Sequence, residues 1–127
     1  MTNTGLRVPD YLEHIRQAIE RIQRYTEDMD EVGFLQNEMA QDAVIRNIEI
    51  MGEAANNIRK SAPDFTERHH EVPWLVMYAM RNRVSHAYHA VDLEIVWKTI
   101  QRDLPLMHQQ VVALVDDFAK AAGRTSI

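Results

Sequence analysis

Apolar residues recur at intervals of three and four positions along most of this chain. In the clearest stretch they alternate with Glu, Arg and Gln, and they fall at Tyr11, Leu12, Ile15, Ala18, Ile19, Ile22, Tyr25 and Met29. This spacing is typical of an α-helix with one apolar face, and Pro9 suits the first turn of such a helix. The pattern therefore predicts a long amphipathic helix in the N-terminal part of the chain.

The same period, with the residues that begin and end helices, predicts further helices downstream. A second helix is expected over about 36–60, where the apolar stripe is broad enough to contact neighbours on more than one side. Pro73 opens a third helix that runs to about Ser85. Asp92 is a good N-cap for a fourth helix, and Pro105 suits the first turn of a fifth.

The segments between these helices are predicted to be loops. The acidic run 27–31, followed by Gly33, indicates a solvated loop, and 65–72 indicates a loop or a frayed turn. The sequence shows no strand-like alternation, internal repeat or linker composition. We therefore expect an all-α bundle of four to five helices in a single domain spanning 1–127, with its core over about 9–122 and short flexible termini.

Composition narrows the possible classes of function. The chain has 127 residues, 46% of them hydrophobic, which is enough for one buried core. It has no cysteine, which excludes disulfides and thiolate metal sites and is compatible with a reducing cytoplasm. No apolar run approaches the roughly 20 residues that span a bilayer, so we expect a soluble cytoplasmic protein with no membrane partner. The formal net charge of -5 argues against a general nucleic-acid coat but leaves room for a small basic pocket that handles one phosphate.

Four side chains suited to phosphodiester chemistry lie close together, at Arg81, Asn82, His86 and Tyr88. Arg presents a fixed cationic fork to phosphate oxygens, and His both accepts and donates a proton near neutral pH. With a ribose 2′-hydroxyl nearby, His86 could accept its proton as the oxygen attacks phosphorus, while Arg81 neutralises charge on the phosphoryl oxygens. That reaction needs no metal or other cofactor. Asn82 could orient the phosphate or the imidazole, and Tyr88 offers a hydrogen-bonding, stacking or modifiable phenol.

The spacing of Arg81 and His86 places a condition on any such site. On an ideal helix the two positions lie about 140° apart around the axis and do not share a face. Either His86 leaves the helix and turns back toward the long Arg81 side chain, or a two-fold dimer brings two copies of the block into one cleft. Each residue also has an ordinary structural use, as an ion-paired arginine, a hydrogen-bonded loop histidine and, for Tyr88, a half-buried tyrosine.

Other groups of polar residues have simpler interpretations. Four of the six histidines are His69, His70, His86 and His89. No carboxylate stands in a ligand pattern with them, so no metal site is predicted. Glu49 and Glu53 lie four apart on the second helix, where they form either a two-carboxylate site or salt bridges with Arg46 or Arg59.

Four separated stretches resemble the HepT-like branch of the HEPN superfamily. They are AVIRNIEIMGEAA at 43–55, VPW at 72–74, the Arg81-x4-His86-x-Tyr88 block, and VW at 96–97 with DLP at 103–105. The stretches occur in the family's order. The similarity runs from about Pro9 to Leu106, which is most of the chain.

This resemblance implies a small helical bundle that acts as the toxin of a prokaryotic toxin–antitoxin pair. Members of the family are metal-independent endoribonucleases that dimerise so that two R-x4-H motifs line one composite cleft. By position, Arg81 and His86 match the catalytic pair, Asn82 the polar residue after the arginine, and Tyr88 a tyrosine that receives AMP. The implied partners are an RNA substrate such as a tRNA or an mRNA, a second copy of the chain, and an MntA-type nucleotidyltransferase antitoxin. No DNA partner, metal or cofactor is implied.

A second hypothesis comes from another class of function. The chain could be a non-catalytic HEPN module that binds a nucleotidyltransferase partner or a nucleotide. The two hypotheses differ in whether Arg81 and His86 converge on an open, positively lined cleft. Side chains that are separated and salt-bridged would favour the binding module.

Overall fold

The computed structural model of the chain describes residues 7–86 and 92–125, and most of these residues are helical. The helices are α1 (Val8–Thr26), α2 (Glu31–Leu35), α3 (Glu38–Ser61), α4 (Pro63–Arg68), α5 (Trp74–His86) and α6 (Leu93–Thr125). The described residues contain no strand. The predicted all-α fold class is therefore confirmed, with four long helices that form the bundle and two short helices, α2 and α4, between them.

Helix α3 lies at the centre of the bundle. It packs against α1 and against α5, while α6 packs against α1 and α2. Two long neighbours explain why the apolar stripe of α3 is broad. The fully buried side chains of the core include Leu12, Ile15, Ile19, Ile22, Phe34, Val44, Ile48, Met51, Ile58, Met77 and Leu104. Burial of each such side chain stabilises the fold by about 1.5–3 kcal/mol.

Two segments that were predicted to be loops contain short helices. In α2, Asp30 Oδ1 accepts the Gly33 N–H at 2.8 Å, and Phe34 packs on Trp97 of α6 with 5.3 Å between ring centroids. Helix α4 begins at Pro63 and buries Phe65. The loop predictions are therefore wrong at these positions. Each short helix is held by its N-terminal residue, a capping aspartate in α2 and a proline in α4, and by one buried phenylalanine. A helix of one or two turns is too short to show apolar periodicity in the sequence.

Helix α6 unites the predicted fourth and fifth helices. The predicted N-cap is confirmed, since Asp92 Oδ1 accepts the N–H of Glu94 at 3.0 Å and of Ile95 at 3.2 Å. Pro105, however, lies inside the helix rather than at the start of a new one. Its position is exposed, so water can satisfy the carbonyl that loses its partner. The inward face of the same stretch holds the helix in place through the buried residues Leu104, Met107 and Val111.

None of the helices in the described part of the chain is both long enough and apolar enough to cross a membrane.

Candidate active site

Arg81 occupies a position of α5 that faces the core. The buried residues of α5 include Trp74, Met77 and Val84. Position 81 continues their spacing of three and four, so it lies on the same face of the helix, toward α3. Its side chain is 31% exposed. An arginine fits such a position when its stem packs against the protein and its charged head reaches solvent or a partner.

Gly52 of α3 supplies the room for the Arg81 stem. A Cβ atom on Gly52 would lie 2.7 Å from the carbonyl oxygen of Met77 and closer still to Cβ of Arg81. The missing side chain lets α5 cross α3 at this point, with Arg81 directly against Gly52. Gly52 was not among the predicted site residues, although a lone glycine inside a helical pattern is a signal of close packing.

Among the described residues, the Arg81 guanidinium has two polar neighbours. Its Nη2 lies 3.2 Å from Glu53 Oε1, and its Nη1 donates a hydrogen bond to Asn82 Oδ1 at 3.1 Å. Glu53 directly follows the glycine on α3, so the crossing that holds the arginine stem also brings a carboxylate to its head. The expected salt bridge from Glu53 to Arg46 or Arg59 is wrong, because Glu53 pairs with Arg81 instead.

A cavity of about 420 Å³ opens beside the Arg81–Glu53 pair. Its walls come from α1, α3 and α5, and its lining residues are His14, Arg46, Glu49, Ile50, Glu53, Ala54, Asn57 and Arg81. His14 and Asn57 were not predicted as site residues. Apolar spacing could not have found them, because it reports one helix at a time and the cavity joins three helices.

Helix α5 continues through His86. Positions 81 and 86 therefore keep their separation of about 140° around the axis, the first toward α3 and the second toward the opposite face. The two arrangements expected from the sequence depend on the His86 side chain, on residues 87–91 and on a second copy of the chain, which lie outside the described part of the structure. The side chain of His86 and the whole of Tyr88 lie outside the described part of the structure.

The face of α5 opposite α3 is apolar and exposed. Leu75 is 62% exposed and Val76 is 48% exposed, and Ala79 and Arg83 are exposed on the same face. We call these four residues the outer face of α5. Position 86 continues this face by helical spacing. Because α5 packs chiefly against α3, the outer face is left open by the described residues of the chain.

The described residues contain no group of three or more His, Asp and Glu side chains that could hold a metal ion. His69, one of the four histidines close in sequence, stacks on Phe65 with 4.6 Å between ring centroids. Its Nδ1 lies 3.6 Å from a carboxylate oxygen of Glu71, and its backbone carbonyl accepts the indole N–H of Trp74 at 3.0 Å. His69 thus contributes to the packing between α4 and α5.

Comparison with known proteins gives consistent matches. Residues 15–114 match the sequence model of the family described as ribonuclease HepT-like. The chain is 45% identical over 96 residues to "Probable ribonuclease HepT" of Thermococcus cleftensis, across 76% of this chain and 84% of that protein. A Caldanaerobacter subterraneus subsp. tengcongensis protein described as a candidate RNase is 35% identical over 101 residues, across 80% of this chain and 88% of that protein.

A third relative is longer than this chain. It is a Methanocaldococcus jannaschii protein described as a gamma-glutamylcyclotransferase and candidate RNase. The identity is 36% over 110 residues, which cover 87% of this chain and 48% of that protein. No solved structure matches the chain with significance.

Proposed function

We propose, from the premise that this chain belongs to the HepT-like ribonuclease family, that it is a metal-independent endoribonuclease that acts through Arg81 and His86. The observation that carries the proposal is the placement of Arg81. Gly52 seats its stem at a core-facing position, and its guanidinium reaches an open cavity. A guanidinium held in this way is suited to a phosphodiester, because its fork contacts two phosphoryl oxygens at once.

In the proposed reaction, the His86 imidazole accepts the proton of a ribose 2′-hydroxyl as that oxygen attacks the adjacent phosphorus. The bond between phosphorus and the 5′-oxygen breaks, and the departing oxygen takes up a proton from water. The products are a 2′,3′-cyclic phosphate and a 5′-hydroxyl. Arg81 stabilises the charge that builds on the phosphoryl oxygens. Asn82 orients the guanidinium through the hydrogen bond that its Oδ1 accepts from Nη1.

A homodimer whose interface includes both the outer face of α5 and the rim of the Arg81 cavity would complete this site. Within one copy of the chain, positions 81 and 86 lie on different faces of α5, and such an interface would bring His86 of one copy to Arg81 of the other. The exposed side chains of Leu75 and Val76 suit burial in such an interface.

Light scattering tests the dimer. We expect a mass near twice the 14.8 kDa of one chain. Leu75→Glu should shift the protein to a monomer, whereas Leu106→Glu, at a residue 58% exposed on α6, should leave the dimer intact. A wild-type monomer at micromolar concentration would contradict this part of the proposal.

The proposed biological role is that of a cytoplasmic toxin that cleaves tRNA or mRNA and is silenced by an MntA-type nucleotidyltransferase. The antitoxin would transfer AMP to Tyr88, two residues after His86. The added phosphodiester charge and base would compete with substrate phosphate for Arg81 and obstruct the cleft. Co-expression with the nucleotidyltransferase should raise the mass of the intact protein by one or more AMP groups. Neutralised toxicity with an unchanged mass, or full neutralisation of Tyr88→Phe, would instead mean control by complex formation.

One observation favours the second candidate, the non-catalytic HEPN module. Arg81 is ion-paired with Glu53, and positions 81 and 86 diverge within one copy of the chain. A salt-bridged arginine is what a module that only binds a nucleotidyltransferase or a nucleotide would show.

Expression of the chain alone, and with Arg81→Ala or His86→Ala, separates the two candidates. A nuclease should arrest growth and leave RNA fragments with cyclic phosphate ends, and both variants should lose these effects. Arg102→Ala is the matched control, since Arg102 is 74% exposed on α6 and outside the cavity. EDTA should not change the cleavage rate. A folded wild-type dimer that leaves cellular RNA intact would support the binding module.

A further inference from the structure

The cavity beside Arg81 combines basic and acidic side chains from three helices. His14 comes from α1, Arg46 from α3 and Arg81 from α5, while Glu49 and Glu53 come from α3. The formal charges of the two arginines and the two glutamates cancel. In the free protein these four residues therefore give the cavity no net charge, although two of them are arginines. An anion-binding site that is ready to bind would instead carry a net positive charge.

The ion pair between Arg81 and Glu53 is of a kind that an anion can displace. The carboxylate approaches the guanidinium to 3.2 Å, between Glu53 Oε1 and Arg81 Nη2, and the Glu53 side chain is 56% exposed. Exposed ion pairs of this kind contribute little free energy, because solvent screens them and the long side chains lose freedom. A phosphate diester, in contrast, can take two parallel hydrogen bonds from the guanidinium. Glu53 can then rotate into solvent at low cost.

The size and lining of the cavity suit a small polar ligand, and one nucleotide unit is such a ligand. A volume of about 420 Å³ lies within the range of about 300–1,000 Å³ typical of small-ligand sites. Arg46 is exposed at the cavity and offers a second cation. His14 and Asn57 offer hydrogen-bonding groups, and Ala54 supplies an apolar wall.

The geometry points to a substrate subsite in this cavity: it binds one nucleotide of a single-stranded RNA, whose phosphate displaces Glu53 from Arg81 and contacts Arg46. Glu53 is then an exchangeable counter-ion that lowers the affinity of the free protein for RNA. This inference rests on the proposed function in taking RNA as the ligand, and it adds residues on α1 and α3 to the Arg81 block. The inference also agrees with the net charge of -5, because only this one cavity would bind RNA and Glu53 occupies its arginine in the free protein.

The test is RNA binding without cleavage. The probe is a short fluorescent single-stranded RNA in which fluorine replaces every 2′-hydroxyl, so 2′-oxygen attack cannot occur. Affinity is measured by fluorescence anisotropy over a series of salt concentrations. Glu53→Gln should tighten binding by about threefold to tenfold, since it removes one negative charge near the phosphate. Arg46→Gln should weaken binding by a similar factor and reduce the slope of log affinity against log salt by about 0.7.

Two control variants make the same charge changes elsewhere. Glu67→Gln on α4 matches Glu53→Gln, and Lys120→Gln on α6 matches Arg46→Gln, and both control positions are exposed and outside the cavity. Both controls should bind the probe as the wild type does. Circular dichroism confirms that each variant is folded, which is expected because each replaced residue is exposed.

Unchanged or weaker binding by folded Glu53→Gln would overturn the inference, since the carboxylate would then only position Arg81. Equal losses for Arg46→Gln and Lys120→Gln would also overturn it, because binding would reflect overall charge and not the cavity. The binding assay is independent of catalysis. If the wild type does not cleave RNA but the four variants behave as expected, the subsite stands and the nuclease proposal fails. If the wild type cleaves and the variants do not differ, the subsite alone fails.

Discussion

Replacing Gly52 with alanine tests whether the crossing of α3 and α5 positions Arg81. The new Cβ atom would lie 2.7 Å from the Met77 carbonyl oxygen, whereas ordinary contact begins at 3.4 Å, so α5 must shift by about 0.7 Å or more. Overpacking of this kind costs about 1–3 kcal/mol, and the higher helix propensity of alanine offsets about 1 kcal/mol of that cost. We therefore expect the free energy of unfolding to fall by up to about 2 kcal/mol.

The same shift should harm cleavage more than stability. Misplacement of a catalytic group by about 1 Å costs roughly 100-fold in rate, so Gly52→Ala should cleave RNA about tenfold to 100-fold more slowly. Gly123→Ala is the matched control, because no described atom beyond its own stretch of α6 lies within 4 Å of the new Cβ. It should keep full activity and gain at most about 1 kcal/mol of stability.

Urea denaturation measures the stability of the two variants, and gel analysis of RNA fragments measures their cleavage rates. If Gly52→Ala were as stable and as active as Gly123→Ala, the close crossing of the two helices would be refuted. If its stability fell while its cleavage rate held, the crossing would support the fold without positioning Arg81.

Three further predictions concern single side chains. Asp92→Ala should lower the free energy of unfolding by about 0.5–2 kcal/mol in urea denaturation through loss of the α6 N-cap, and Asp92→Asn, which can still cap, should not. The hydrogen bond from His108 holds the pKa of Glu20 below its ordinary range. The ionised Glu20 therefore contributes its full stability above about pH 5, and this contribution is lost as the pH falls through the lowered pKa of the folded state. Glu20→Gln should accordingly lower the Tm at neutral pH, and the Tm difference from the wild type should shrink toward about pH 3. Arg81→Met should keep stability within about 1 kcal/mol of the wild type by urea denaturation, since the exposed ion pair with Glu53 contributes little and an apolar side chain can still pack against α3, but it should abolish cleavage; a variant that still cleaves would remove Arg81 from the mechanism.

The long helices were predictable from the sequence because each one buries a face whose apolar residues recur every three or four positions. The predicted 36–60 and 74–85 segments lie within two residues of the observed Glu38–Ser61 and Trp74–His86 at either end. Pro105 was misplaced for a physical reason. A proline has the same local signature at the first turn of a helix and at an exposed interior position, and only the buried residues on the opposite face distinguish the two.

The candidate site was predictable only in the part that is contiguous in sequence. Arg81, Asn82 and His86 could be selected by their chemistry, since they lie within six residues of one another. Glu53 was selected only together with Glu49, and His14 was not selected, because their proximity to Arg81 depends on how three helices pack. A helix that is read alone shows which face is buried, but it does not show which residues of its neighbours meet that face.

The position of Arg81 itself shows where local rules and the fold disagree. The α3-facing positions 74, 77 and 84 hold apolar residues, and the pattern calls for another at 81. A charge at that position is costly unless its head is paired or solvated, and the protein meets this condition with a glycine that admits the stem and a glutamate that faces the guanidinium. An apolar residue at 81 would need neither device. Arg81 thus occupies a position that the helix pattern assigns to an apolar residue, and Gly52 and Glu53 of α3 accommodate it. This combination favours a functional role for Arg81 over a structural one.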